Sequence, residues 1–509
     1  MLTDITYYVF LRQIVTDILK LKVVKFGTNF RRIVLTKGVL RGRIILNIKV
    51  KQNRMVETMS YQTNLTEGSV VKKYIAFVVP ILISGLLQQL YNAADTMVVG
   101  KFVGASALAA VGATGSITNL ILNMFLGLSG GADVVCARFF GARDKESLHR
   151  AIHTSIMLGI VSGVFLALAG FLFSRNLLMM MKTPAEVLDD ATLYMQVYFL
   201  GAPASMLYNF SAAVLRASGD TKRPLYILTA AGITNVLLNL LFVIVFEIGV
   251  LGVAVATVIS QVLSAVFALT LLVKNDAEFK LSFKKLRIYK KELLKIAAVG
   301  IPSGMNGMMF SVANVIIQVA VNSFGKIVMA ATVAAGNISN FVYLVIASSE
   351  QAVMTFSGQN IGAGNFKRVD QTLKTGLVFA YICMGVLVAV IFGFGENLLA
   401  MFVDGDNQAD VIDVGMIKLM MVGVGYLLFV PTNLFYAVLK GMGKAFHGML
   451  VNLVCTCLLR ILWILAILPM NRTVPMLFAA YPASWFTASV VMGIVYFIIR
   501  RKTFSRIQN

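Results

Sequence analysis

The chain of 509 residues is 58% hydrophobic and only 13% charged, with a mean hydropathy of +0.82; this excludes a soluble globular protein and indicates an integral membrane protein. The formal charge of +22 does not indicate a nucleic-acid partner, because Lys and Arg fall in short clusters between apolar runs, as orientation signals do, without any RNA- or DNA-binding pattern. Cys136, Cys383, Cys455 and Cys457 lie in or beside apolar stretches without paired spacing, and His149, His153 and His447 are few and dispersed, so no disulfide frame, metal centre or cofactor is expected.

Residues 1 to 58 differ from the rest: cations from Lys20 to Arg54 are scattered among apolar residues, with no run of membrane length and no signal-peptide layout. A basic amphipathic segment on the membrane surface is one reading. The preferred one is a mis-assigned start, with translation beginning at Met55 or Met59, and fold reasoning leaves the segment out.

Twelve apolar spans follow, at roughly 74–100, 107–136, 151–174, 187–215, 224–246, 250–273, 293–323, 327–360, 371–394, 411–439, 446–469 and 475–499. Connections after even-numbered spans are basic: Arg138 to Arg150, Arg216 to Arg223, Lys280 to Lys295, Lys367 and Arg368, Lys440 and Lys444, and Arg500 to Arg506 at the end. Odd-numbered connections carry few cations and include the acidic run Asp404, Asp406, Asp410 and Asp413. Positive residues stay on the cytoplasmic side, so both termini are expected there.

The chain repeats internally. RFFGARDKESLHRA (138–151) resembles QNIGAGNFKRVDQT (359–372), aligning Gly141 with Gly362, and NFSAAVLRASGD (209–220) matches NLFYAVLKGMGK (433–444), aligning Asn209 with Asn433 and Gly219 with Gly443. Pro80 pairs with Pro302 in the same way. The expected fold is all-α: twelve transmembrane helices in two six-helix lobes related by a pseudo-twofold axis along the membrane normal. Residues 1–70 form the N-terminal extension, 71–273 the N-lobe, 274–295 a cytoplasmic linker, 296–500 the C-lobe and 501–509 a cytoplasmic tail. A substrate is expected in the cleft between the lobes.

The first span holds Gln88, Asn92 and Asp95 at i, i+4 and i+7, on one helical face. An ionisable group at that depth must face a bundle interior or a water-filled cavity, and its default reading is functional. Counting from the loops places Asp95, Asn239 and Thr257 about 9 to 12 Å below the outer face, at nearly one level, with Asn235 one turn deeper. A carboxylate with amide and hydroxyl oxygens can bind a proton or a hard cation such as Na⁺. Interhelical hydrogen bonding is the plain alternative for the three neutral residues.

The segments PILISGLLQQLYNAADTMVVGKFVG, GARDKESLHRA, LRASGDTKRP and NVLLNLLFVIVFEIGVLGVAVATVIS, in this order and with the lobe repeat, resemble the multidrug and toxic compound extrusion (MATE) family over essentially all of residues 68–500. The resemblance implies an antiporter of the cell membrane, expected to be bacterial, that expels organic, often cationic compounds against inward H⁺ or Na⁺ by alternating access. It also implies that Asp95 matches the first-helix acid, Asn235 and Asn239 the fifth-helix pair, and Thr257 the sixth-helix hydroxyl of the cation site in the DinF-like branch. Asn239 stands where that branch can carry Asp, so the site has one carboxylate. The NorM-like branch is disfavoured, because FSVANVIIQV and LLFVPTNLFYAVL carry no acid.

In the second half, Glu350 falls near the cytoplasmic side and reads as a second proton carrier, a substrate contact or a solvated residue at the mouth. Arg460 reads as a structural charge, with Asp413 a better candidate partner than Glu350 on depth. Gln88, Asn92, Asn209, Asn314, Gln318 and Glu350 are candidates for the substrate cavity, and Met- and Phe-rich spans supply adaptable apolar walls. Small organic substrates and membrane lipid are the expected partners of a monomer. A lipid-precursor flippase would need a basic cavity, a membrane-embedded enzyme a cluster of His, Asp or Glu, and a channel a charge ring or filter loop; the spans show little of the first and none of the others.

Overall fold

The computed structural model describes residues 63–181, 183–274, 278–403 and 407–508. The expected start at Met55 or Met59 lies outside the described residues, as do Asp404 and Asp406. Regular structure among the described residues is helical throughout, because backbone crossing hydrocarbon has no water to bond and must pair with itself.

In chain order the helices are α1 (Val70–Val98), prolonged by a π turn Val99–Val103, α2 (Ala105–Gly141), α3 (Lys145–Met180), α4 (Ala185–Leu200), α5 (Ala202–Ala217), α6 (Lys222–Leu240), prolonged by a π turn Leu241–Val245, and α7 (Val250–Val273). A short 3₁₀ turn, Phe283–Lys285, leads to α8 (Lys290–Asn322), α9 (Lys326–Gly362), α10 (Phe366–Ala400), α11 (Gln408–Gly441), α12 (Ala445–Asn452), α13 (Leu459–Leu462) and α14 (Val474–Gln508). Two further π turns, Leu453–Leu458 and Trp463–Ile467, flank α13 and join it to α12 in one apolar rod.

Eleven helices among the described residues are long and apolar enough to cross a membrane. The span expected at 187–215 is instead split into α4 and α5, each of 16 residues. The reason is local: Pro203 has no amide to offer the carbonyl of Phe199, and Gly201 ends α4 with a tighter bond to the Tyr198 carbonyl. Helix α3 closes over this break, since a Cβ on Gly163 would lie 2.5 Å from Pro203 Cα and one on Gly170 2.1 Å from the Phe199 ring.

The repeat reappears in the backbone. Gly104 and Gly325, both preceding long helices, have φ of 115° and 95°; Gly219 and Gly443 have 86° and 74°; Arg143 and Gly364 have 56° and 71°. Each pair consists of positions that the sequence repeat aligns, so both halves make the same turns.

Helices α2 and α8 pack together through two facing GxxxG motifs, Gly127/Gly131 and Gly300/Gly304. A Cβ on Gly127 would lie 2.1 Å from the Gly304 nitrogen, and one on Gly131 2.4 Å from the Ile296 carbonyl, so the backbones meet as small residues allow in membranes. The opening part of α1 is shared: Tyr74, Phe77 and Val78 are buried with residues of α9, α10 and α11. The segment expected as a linker is docked on α3, with Phe279 and Leu281 buried and the Ser282 and Tyr289 amides donating to His153 Nε2 and Thr154 Oγ1, each at 3.1 Å.

Candidate functional site

Asp95 sits in the last turns of α1, half-buried against α6. Asn239 is fully buried on α6 and donates from Nδ2 to Asp95 Oδ1. Asn235, one turn earlier, presents its amide to the same carboxylate: with the nitrogen turned toward it, the contacts are 2.8 Å to Oδ1 and 3.3 Å to Oδ2. Its other amide atom then faces the Thr257 hydroxyl of α7, 3.4 Å away, and that hydroxyl also bonds the Val253 carbonyl at 3.0 Å. Two amides of α6 therefore converge on the Asp95 carboxylate of α1, and the Thr257 hydroxyl of α7 joins the cluster through Asn235. The sequence places them there because Asn235 and Asn239 share a face of α6, and both α1 and α6 pass into π turns just beyond the site.

Chemically, the cluster is one acid ringed by neutral groups, with no cation paired to it among the described residues. Asn239 Oδ1 is buried without a hydrogen-bond partner among the described residues, an orphaned acceptor beside a carboxylate, and a buried acceptor left empty is costly. Asp95, Asn239 Oδ1 and the Thr257 hydroxyl offer hard oxygen donors of the kind that Na⁺ or a proton needs.

The other candidates are not gathered with these four. Gln88 and Asn92 are exposed further back along α1. Asn209 turns back to the Ser205 carbonyl of its own helix at 2.8 Å. Asn314 is exposed, and Gln318, also exposed, bonds Asn322 Oδ1 at 2.8 Å. Glu350 on α9 is ion-paired with Lys440 on α11. Arg460 is 2% exposed and donates from Nε to Ser484 Oγ at 2.9 Å, its guanidinium over the rings of Tyr481 and Trp485 at 4.5 and 5.2 Å. The pairing considered with Asp413 is therefore corrected: Asp413 is exposed on α11, and equal depth does not give equal direction around a helix. Arg460 Nη2 and Trp485 Nε1 have no hydrogen-bond partner among the described residues.

Two charged groups went unnoticed in the sequence. Asp133 on α2 is wholly buried, and Lys418 on α11, 7% exposed, donates to the Thr332 carbonyl at 2.8 Å. The signal that exposes Asp133 is the same as for Asp95: an acid in a helix of membrane length, two turns inside the basic end of its span.

Comparison with known proteins fits this architecture. The MatE family model matches residues 80–241 and 302–464, once in each half. The probable multidrug resistance protein YoeA of Bacillus subtilis (strain 168) is 28% identical over 397 residues, covering 76% of this chain and 85% of the relative. The multidrug export protein MepA of Staphylococcus aureus (strain NCTC 8325 / PS 47) is 22% identical over 388 residues, covering 75% and 85%. Among solved structures, a MOP superfamily transporter from Pyrococcus furiosus Vc1 (DSM3638) superposes with a TM-score of 0.80 at 22% identity, covering 89% of this chain and 99% of that one. A multidrug resistance MATE family transporter in an outward-facing conformation gives 0.79 at 23%, with the same coverage; at these identities the likeness shows the fold. With two matches to the family model spread over both halves and many apolar helices around a repeated plan, the chain is a multi-pass membrane transporter of the MATE family and not an enzyme.

Proposed function

We propose that the protein is a secondary active multidrug efflux antiporter, closer to the DinF-like than to the NorM-like branch, exporting organic cations in exchange for H⁺ or Na⁺ across a bacterial cell membrane. Counting α4 and α5 as one broken span gives twelve crossings in two six-helix halves about an axis along the membrane normal, with both termini cytoplasmic and the chain working as a monomer. The names of its relatives, a probable multidrug resistance protein and a multidrug export protein, support multidrug efflux. The observation that carries the coupling reading is the orphaned Asn239 Oδ1 beside the Asp95 carboxylate.

Binding of H⁺ or Na⁺ at Asp95 neutralises the charge and redistributes the bonds of Asn235, Asn239 and Thr257, which shifts α6 and α7 against α1. Cargo between the halves is then released outward, and ion and cargo compete through the cycle. A ligand moves such an equilibrium only by its difference in affinity for the two states, and a single carboxylate that changes charge supplies one. The test is efflux of a fluorescent organic cation from proteoliposomes with proton and sodium gradients imposed separately. One gradient is expected to accelerate efflux; equal rates with either gradient and with none would overturn the reading.

A further inference from the structure

The two halves touch tightly at the end of the molecule where α1 begins. There a Cβ on Gly141 would lie 1.9 Å from the Gln359 carbonyl, and one on Gly362 2.0 Å from the Arg138 carbonyl. One turn and more inside this contact lies Asp133. Its carboxylate accepts from Arg216 Nε of α5 at 3.3 Å, from Gln351 Nε2 of α9 at 2.7 Å and from Thr355 Oγ1 of α9 at 3.0 Å. Arg216 belongs to the same half as Asp133; Gln351 and Thr355 belong to the other.

Asp133 and Glu350 are each paired with a cation of their own half. The shift of 224 that aligns Asn209 with Asn433 also aligns Arg216 with Lys440, and Lys440 is paired with Glu350 of α9 in its own half. The acids differ by one helical turn: the shift of 221 between Gly141 and Gly362 sets Asp133 opposite 354, four residues beyond Glu350. When the halves part, Asp133 and Glu350 each keep their cation, where a buried charge left without its partner would be severely destabilising. Only neutral donors leave Asp133, and water can replace them.

A second set of bonds crosses at the surface. The Thr63 amide donates to the Ser218 carbonyl at 3.1 Å, and a Cβ on Gly219 would lie 2.2 Å from the Thr63 carbonyl. Leu65 is fully buried, and its amide donates to Gln359 Oε1 at 2.9 Å while Gln359 Nε2 donates to the Ala217 carbonyl at 2.8 Å. Arg368 of α10 donates to the carbonyls of Leu65, Glu67 and Gly68 at 2.9, 2.6 and 2.7 Å. Residues 63–68 are thus a strap, fastened to the first half at Ser218 and gripped by Gln359 and Arg368 of the second.

We infer that Gln351 and Thr355 on the Asp133 carboxylate, together with Arg368 on the strap at residues 65–68, form a reversible latch that sets how often this end of the transporter opens. The inference rests on the alternating-access reading, and is independent of the coupling ion and the cargo. Because water can replace the lost partners, each set of bonds is expected to shift the equilibrium by about tenfold in total, enough to bias two states without fixing one. These are positioning residues: they act on the opening of the halves and not on the ion.

The test is the distance between spin labels at Lys222→Cys and Lys444→Cys, exposed positions in repeat-equivalent turns of the two halves, in full-length protein with its four native cysteines replaced by alanine, in lipid vesicles. Gln351→Ala/Thr355→Val, which leaves the Asp133–Arg216 pair intact, is expected to raise the long-distance population about tenfold. Arg368→Ala does the same by releasing the strap, and Asp370→Asn, whose partner Arg500 lies in its own half, leaves the distribution unchanged. Long-distance populations within twofold of the parent in both latch variants would overturn the inference. A parent distance unmoved by gradients and by added cargo counts instead against alternating access, and the variants' shift still decides the latch.

Discussion

The polar cluster on α1, α6 and α7 and the one on α13 and α14 occupy corresponding places in the repeat and carry opposite charge. The shift that aligns Asn209 with Asn433 carries Asn235 to 459, next to Arg460. In the first half an amide and a hydroxyl, Asn235 and Thr257, stand beside an acid with no cation paired to it among the described residues. In the second, Arg460 meets the Ser484 hydroxyl between two aromatic rings, with no acid paired to it among the described residues. A guanidinium keeps its proton in any protein environment and repels a second cation, whereas a carboxylate among neutral donors can gain or lose one charge. On the proposed reading, two halves with the same turns divide the work: the first binds the coupling ion, and the second holds a fixed charge.

Substitutions break or sharpen that division to different degrees. Asp95→Asn removes the only carboxylate of the first cluster, and gradient-driven efflux in proteoliposomes is expected to fall at least about a hundredfold, to the rate without a gradient. Asn239→Ala keeps the acid but deletes a donor and the orphaned acceptor; the apparent affinity for the driving ion is expected to weaken about tenfold, or about 1.4 kcal/mol, read from ion titrations of the efflux rate. Arg460→Met tests the other side. Ser484 keeps its bond to the Tyr481 carbonyl at 2.9 Å, and replacing a buried cation that lacks an acid with an apolar side chain is expected to change coupled efflux by less than about twofold. The smallest effect concerns the shared turns: Arg143 holds a φ of 56° where the second half has Gly364. Arg143→Gly is expected to stabilise the protein by under about 1 kcal/mol in thermal unfolding, because the exposed Arg143–Glu67 pair it loses contributes little.

Helix positions were legible because bilayer thickness fixes the length of an apolar run, and Asp95 met its companions because depth can be counted along a helix of constant rise. Direction around the helix axis cannot be counted in that way, which is why Arg460 was set beside Asp413 when its neighbour is Ser484. The break at Gly201 was hidden because hydropathy runs unbroken through it and the lone cue, Pro203, also suits a helix start. Asp133 escaped for a different reason. Its partners Arg216, Gln351 and Thr355 are 83, 218 and 222 residues away, and they meet only where α2 packs against both α5 and α9.

On the proposed reading, an ion on the Asp95 carboxylate and cargo between the halves exclude one another. This exclusion is tested most directly by adding an organic cation to the purified transporter and measuring the H⁺ and Na⁺ released. Linkage requires a ligand that competes with an ion to displace it, so the account predicts release of about one ion per bound cargo from the parent protein and from Arg460→Met, and none from Asp95→Asn. Release from Asp95→Asn equal to that of the parent would contradict it.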